Sequence, residues 1–159
     1  MRYYFITSLK ELQNITNDKF IICNFYKYKL SLNNYFNENI IQSLIAKSKE
    51  LSCLIFCFVY TLDNKGIVFI ISDGELLDIY EEGEIYSTLN LKCYDTRLGK
   101  VAILVNSDLL DYTLAFALEA FKIDLTIVFA NGNYKSTFGG FNYSTPNIII
   151  NEKEVVTSA

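Results

Sequence analysis

The chain has 159 residues, of which 51% are apolar and 20% are charged, and its formal net charge is −4. This length corresponds to about one domain, and the apolar fraction is too high for a disordered chain. The acidic balance argues against nucleic-acid binding, because no basic face is available to neutralise phosphates. The sequence contains no His, which excludes Ser-His-Asp, Cys-His and His-ligated zinc chemistry within this chain.

The first half of the chain predicts one helix and four strands. Apolar residues recur at helical spacing up to Leu51, and Asn37 is a suitable N-cap for this helix. Turn sequences separate the last three strands, which predicts an antiparallel meander. The predicted elements are a strand over 20–25, the helix from Asn37 or Glu38 to Leu51, and strands over 53–60, 67–71 and 75–80.

The second half predicts a strand–helix–strand unit, which gives a parallel strand pair. Asp108 is suited to capping the helix of this unit. The predicted elements are a polar excursion over 81–100, a strand over 101–105, the helix over 108–121, a strand over 125–130, a Gly/Asn-rich loop over 131–143 and a hairpin over 147–157. With no linker and no internal repeat, residues 1–159 are predicted to form a single α/β domain.

The four cysteines, Cys23, Cys53, Cys57 and Cys93, lack the spacing of a zinc site. A free Cys within an apolar run behaves as a small hydrophobic residue, so we expect reduced thiols in a reducing compartment. The N-terminus has no signal-peptide pattern, and no apolar run reaches the roughly 18 residues of a membrane span. The sequence therefore predicts a cytoplasmic protein with no membrane contact, no metal and no cofactor.

Several segments together suggest a family. Residues 98–108, Leu-Gly-Lys-Val-Ala-Ile-Leu-Val-Asn-Ser-Asp, form an apolar strand that begins after Gly-Lys and ends in Asn-Ser-Asp. In order and spacing, this segment, the hairpin 64–80, the segment 117–125 and the C-terminal segment 138–155 resemble the carbon–nitrogen hydrolase (nitrilase) superfamily. The resemblance implies a truncated nitrilase-like α-β-β-α sandwich with mixed sheets and two main helices. It also implies pairing through helices into a homodimer.

Members of this superfamily typically use a Glu-Lys-Cys triad to attack an amide or nitrile carbon. The resemblance places the Glu at Asn24, the Lys at Glu82 and the Cys at Asn106. All three chemical roles would then be lost together, which implies a pseudoenzyme. Ser107 lacks a His partner, so we do not expect it to replace the missing nucleophile, and the same holds for Cys23.

Three functions follow from this interpretation. The first is association with a second copy or with an active relative, through the helix carrying Tyr112, Ala115, Phe116, Ala117 and Ala120. The second is binding of a small amine or amide by the former triad positions together with Ser107 and Asp108. The third is residual hydrolysis of carbon–nitrogen bonds. Against the second stands a self-satisfied polar cluster, in which Glu82 accepts hydrogen bonds from both Asn side chains, or a solvated Glu82. The acidic run over 78–84 is expected to be a solvated loop.

Overall fold

The computed structural model describes residues 2–17, 20–31, 35–84, 92–110, 118, 120–132 and 146–158. The chain divides into two compact units, Met1–Glu81 and Glu82–Ala159. Each unit contains one mixed five-stranded sheet. Helices are few, and none within the described ranges is long and apolar enough to cross a membrane. This is the α/β architecture with mixed sheets that the sequence predicts.

The first unit combines parallel and antiparallel pairing in one sheet of order β1-β2-β3-β4-β5. β1 and β2 run parallel to β3, whereas β3, β4 and β5 form the predicted antiparallel meander. β1 is not predicted, because a strand of three residues is too short to show an alternating pattern. The strands are β1 (Tyr4–Ile6), β2 (Phe20–Lys29), β3 (Leu54–Tyr60), β4 (Gly66–Ser72) and β5 (Glu75–Glu81).

One α-helix, α1 (Asn39–Leu51), packs on this sheet, and a 3-10 helix spans Leu9–Asn14. The buried Ser48 of α1 donates its hydroxyl hydrogen to Ile45 O and accepts a hydrogen bond from Gly74 N, both at 2.8 Å. The helix is therefore tied to the turn between β4 and β5. Its buried apolar residues are Ile40, Ile41 and Leu44.

The predicted N-cap of α1 is wrong. Asn37 belongs to a 3-10 helix, Tyr35–Asn37, and the residue before α1 is Glu38, whose backbone is extended. The Glu38 carboxylate accepts hydrogen bonds from Ser31 N at 2.7 Å and from Ser31 Oγ at 3.3 Å. Capping statistics favour Asn at such a position. The residue that precedes α1 is instead Glu38, and its carboxylate binds Ser31, seven residues earlier in the chain.

Three of the four cysteines lie in the core of the first unit. Cys23, Cys53 and Cys57 are buried free thiols, as predicted, whereas Cys93 in the second unit is only half-buried. Cys23 and Cys57 are register partners on β2 and β3. Burial, together with a hydrogen bond to Cys57, raises the pKa of the Cys23 thiol well above its ordinary value. This thiol is therefore uncharged at neutral pH.

The second unit has the sheet order β10-β9-β8-β7-β6. β7, β8 and β9 run parallel, which confirms the predicted parallel pair, and β9 and β10 form the predicted hairpin. The prediction of a polar excursion over residues 81–100 is wrong in part, because β6 lies within this stretch. It pairs with β7 across a turn in which Thr96 Oγ1 donates to Gly99 O at 2.9 Å. The strands are β6 (Cys93–Thr96), β7 (Gly99–Val105), β8 (Leu125–Phe129), β9 (Asn147–Ile150) and β10 (Val155–Ser158).

The predicted helix over 108–121 is described only in part. A 3-10 helix spans Asn106–Leu110, and Leu118 and Ala120 are helical. Leu118 is buried in the apolar cluster of this unit, whereas Ala120 is exposed. The remaining residues of the predicted subunit contact, and most of the Gly/Asn-rich loop, lie outside the described residues: Tyr112, Ala115, Phe116, Ala117 and 133–143.

Candidate functional site

Asn106 follows strand β7 in a left-handed backbone conformation. Its φ is 44°, a region that Asn tolerates better than most residues with a side chain. The residue is 4% exposed, and its Oδ1 accepts a hydrogen bond from Asn131 N at 3.0 Å. Since β7 and β8 are parallel neighbours, this bond joins the C-terminal ends of two strands. Open α/β sheets commonly bind ligands at that edge.

Ser107 and Glu82 form a short polar contact beside Asn106. Ser107 Oγ donates to Glu82 Oε2 at 2.5 Å, and Ser107 N donates to the same oxygen at 3.3 Å. A hydroxyl–carboxylate bond of this length is charge-assisted and roughly twice as strong as a neutral hydrogen bond. Both the backbone and the side chain of Ser107 thus hold Glu82 at the end of β7.

Asp108 is a fully buried carboxylate that accepts hydrogen bonds from backbone N–H groups. Gly83 N donates to Asp108 Oδ1 at 2.8 Å, and Val105 N donates to Asp108 Oδ2 at 3.0 Å. Burial of a charge is costly unless hydrogen bonds compensate it. These two bonds fix the end of β7 and the turn at Glu82 and Gly83. The sequence also predicts that Asp108 caps the following helix, and residues 111–117 of that helix lie outside the described residues.

Backbone donors around this cluster bind oxygens of the chain itself. A hydrolytic site of the acyl-transfer type needs N–H groups directed at a developing substrate oxyanion. In the described part of the second unit, N–H groups at the ends of β7 and β8 and after Glu82 are engaged internally. They are Gly83 N and Val105 N with Asp108, Ser107 N with Glu82, Asn131 N with Asn106, and Gly132 N with the Glu152 carboxylate.

Asn24, the candidate of the first unit, is fully buried on β2 opposite Phe58 of β3. The β2–β3 register shifts between Asn24 and Lys29, so Asn24 immediately precedes a local irregularity of the strand. Such irregularities reorient side chains and recur near active sites. The other four candidates, Glu82, Asn106, Ser107 and Asp108, are brought together within the second unit.

The described hydrogen bonds of this cluster add partners that the sequence does not predict. Glu82 accepts from Ser107, and Asn106 Oδ1 accepts from the backbone of Asn131. Asn131, which is 2% exposed, is a member of the cluster that the sequence analysis missed. A signal for it exists, because Asn131 follows the apolar β8 much as Asn106 follows the apolar β7.

No group of three or more Cys, Asp or Glu among the described residues is arranged to hold a metal ion. An open cavity of about 260 Å³ lies in the first unit, between the 3-10 helix Leu9–Asn14 and α1. None of the five candidate residues lines it. The residues that line it are Leu9, Leu12, Gln13, Ser43, Ala46, Lys47 and Glu50.

Comparison with known proteins adds information only at the level of structure. No protein-family model matches the chain, and no curated protein matches it in sequence. Nit3 of Saccharomyces cerevisiae, a member of branch 10 of the nitrilase superfamily, is similar in structure with a TM-score of 0.57 and 14% identity. A carbon–nitrogen hydrolase of Helicobacter pylori gives the same TM-score of 0.57 and 14% identity.

A CN-hydrolase superfamily protein of Xanthomonas campestris, which carries an arsenic adduct in its active site, has a TM-score of 0.63 at 11% identity. These likenesses cover 89% of the present chain but only 65%, 64% and 66% of the respective structures. The chain thus spans slightly less than two thirds of their length. At such low identity the comparisons concern architecture, and they show that this chain has a truncated form of the nitrilase-superfamily α/β fold.

Proposed function

We propose that this chain is a catalytically inactive relative of the carbon–nitrogen hydrolases, and that it acts by association with a second copy or with an active relative. The observation that carries the proposal is the engagement of Ser107 N, Gly83 N and Asn131 N with oxygens of the chain itself. A site of this kind stabilises a strand end and leaves these donors unavailable to a substrate oxyanion.

The residue types at the triad positions support the same proposal. Amides at Asn24 and Asn106 supply neither a general base nor a nucleophile, and Glu82 carries a negative charge where the resemblance implies a cation. Removing the nucleophile of a coupled triad costs on the order of a millionfold in rate in a well-characterised protease. A carboxylate beside a developing oxyanion would raise the barrier further.

Neither alternative nucleophile alters this conclusion. Ser107 touches a carboxylate, but that carboxylate also binds Ser107 N, which is the donor that the residue at a nucleophile position often provides to an oxyanion. Cys23 is fully buried, and burial raises the pKa of its thiol, so little of the nucleophilic thiolate forms at neutral pH.

The test combines a hydrolysis assay with native mass spectrometry of the wild-type chain. We expect no release of ammonia from a panel of simple amides and nitriles, and we expect a dimer without added mass at low micromolar concentration. Turnover that disappears in Ser107→Ala but persists in the control Ser72→Ala would overturn the proposal. A chain that retains small-molecule mass, and loses it in Glu82→Gln, would favour the ligand-binding alternative.

A further inference from the structure

Strand β2 carries an exposed basic segment, residues 25–29, which we call the basic bulge. β2 pairs with β3 at Asn24 and again at Lys29, so four residues of β2 stand opposite a single residue of β3. The buried Phe25 anchors the segment, with its ring centre 5.5 Å from that of Tyr28. Tyr28 is 40% exposed, and it lies between the exposed side chains of Lys27 and Lys29.

The outermost strand on the β5 side of the same sheet carries the reverse charge. β5 is the outermost strand, and its register with β4 shifts so that Leu77 has no partner residue between the pairs Ile70–Asp78 and Ile71–Leu76. Leu77 is 53% exposed. We call residues 75–78 the acidic edge, because Glu75 and Asp78 flank this exposed apolar side chain.

The basic bulge and the acidic edge share the same arrangement of side chains but carry opposite charges. In each, one large exposed apolar side chain, Tyr28 or Leu77, stands at an irregularity of a strand and is flanked by like charges. Apolar area at the centre of a contact with charged groups at its rim is the usual anatomy of a protein interface. Complementary charges at the rim steer the correct partner and exclude others.

The basic bulge cannot reach the acidic edge of its own chain. β3 and β4 lie between β2 and β5, which separates the two strands by about 14 Å at the usual strand spacing. Along the strands, Lys29 pairs with Tyr60, whereas Glu75 is connected through Ser72 to Leu54, at the other end of β3. That is about 20 Å of strand. The basic bulge and the acidic edge therefore cannot pair with each other within one chain.

We propose that the basic bulge of one chain docks on the acidic edge of a second copy, with Tyr28 against Leu77 and the lysines beside Glu75 and Asp78. This proposal rests on the association proposed above and names the surface that mediates it. A second copy is the partner that the observations favour, because the chain itself supplies both halves of the contact. Since Lys27, Lys29 and Glu75 are exposed and Asp78 is half-buried, salt weakens the association.

Charge reversal with mixing tests the contact by native mass spectrometry. Lys27→Glu/Lys29→Glu makes both surfaces acidic, and Glu75→Lys/Asp78→Lys makes both basic. We expect each variant alone to dissociate, with the dissociation constant raised roughly tenfold to a hundredfold, because attraction at each rim becomes repulsion. We expect an equimolar mixture of the two variants to restore a mixed dimer. Lys10→Glu/Lys153→Glu, which changes the net charge equally at exposed sites elsewhere, should dimerise like the wild type.

The outcomes separate the two proposals. A wild-type dimer that neither reversal weakens overturns this contact and leaves the proposed association in place. Variants that dissociate but do not recombine on mixing also overturn it, because the loss then has another cause. A wild-type chain that stays monomeric overturns the contact and self-association together. Far-ultraviolet circular dichroism of each variant excludes unfolding as the reason for dissociation.

Discussion

The side-chain oxygen of Asn106 accepts a hydrogen bond from the backbone N–H of Asn131 at 3.0 Å, and it thereby closes the C-terminal ends of β7 and β8 against each other. Where the nitrilase resemblance places a nucleophile, this chain has a side chain that holds two strands together. This hydrogen bond is structural, so a substitution at Asn106 should change the free energy of unfolding.

Asn106→Ala should lower the free energy of unfolding by about 2–4 kcal/mol. The substitution leaves the buried N–H of Asn131 without this acceptor, and it places Ala in the left-handed region that costs L-residues about 1–2 kcal/mol. Asn106→Gly loses the same bond but avoids the backbone cost, so it should be the less destabilised variant. Urea denaturation of both variants measures the difference, and equal losses would show that the backbone conformation carries no penalty.

Gly99→Ala should destabilise the second unit more than Gly83→Ala does. Both glycines have positive φ, 96° and 87°, so both substitutions carry the backbone penalty. A Cβ at Gly99 would also lie 2.5 Å from Asp124 Oδ2, the oxygen that accepts a hydrogen bond from Lys100 N at 2.7 Å. At Gly83, no atom of the described residues lies within 4 Å of an added Cβ. Thermal denaturation of the matched pair isolates the effect of Asp124. Equal melting temperatures would contradict the prediction.

Thr126→Val should leave stability unchanged or raise it by about 1 kcal/mol. Thr126 is 1% exposed, and its hydroxyl has no hydrogen-bond partner among the described residues, so removal of the hydroxyl relieves a desolvation cost. Thr61→Val is the matched control, and we expect it to lower the free energy of unfolding. The Thr61 hydroxyl donates to Asp63 at 2.6 Å and accepts from Lys65 N at 3.0 Å, and both bonds would be lost. Guanidinium denaturation that gave both variants the same loss would refute this distinction.

Alkaline pH should destabilise the first unit through its buried thiols. Burial raises the pKa of Cys23 above its ordinary value of 9.0, so the unfolded chain loses this proton at lower pH than the folded chain. The stabilisation is therefore complete below the unfolded pKa and decreases as the pH rises above about 9. Cys23→Ala should show a shallower decline of unfolding free energy between neutral and alkaline pH. If the unfolding free energy of Cys23→Ala declined with pH as steeply as that of the wild type, groups other than Cys23 would be responsible for the decline.

Much of the fold follows from local pattern. The apolar runs of β2, β3, β4, β7 and β8 are long enough for the sequence to predict them, and the spacing of apolar residues in α1 predicts its buried face. β6 is different, because its four residues, Cys93–Thr96, carry no alternating pattern and pair with β7 through a turn at Arg97 and Leu98. At the start of α1, capping preference favours Asn37, but the residue before the helix is Glu38, whose carboxylate binds Ser31.

The candidate site shows the same division between local and distant information. The resemblance leads to Glu82, Asn106, Ser107 and Asp108, which the second unit does bring together. Their hydrogen-bond partners depend on segments 25 residues apart in the chain, for which a single sequence offers no distance. For that reason the sequence predicts these four members of the cluster, but neither Asn131 nor the contacts between Ser107 and Glu82 and between Asn106 and Asn131.

Each sheet is built from consecutive strands, β1 to β5 up to Glu81 and β6 to β10 beyond it. During synthesis from the N-terminus, the whole backbone ladder of the first sheet has therefore emerged before any strand of the second. In the second sheet, by contrast, β9 and β10 arrive last, and Asn106 must wait for Asn131 before its oxygen acquires a donor. Ribosome-bound chains in which Glu81 has cleared the exit tunnel should thus already protect the amides of β3 and β4 from hydrogen exchange.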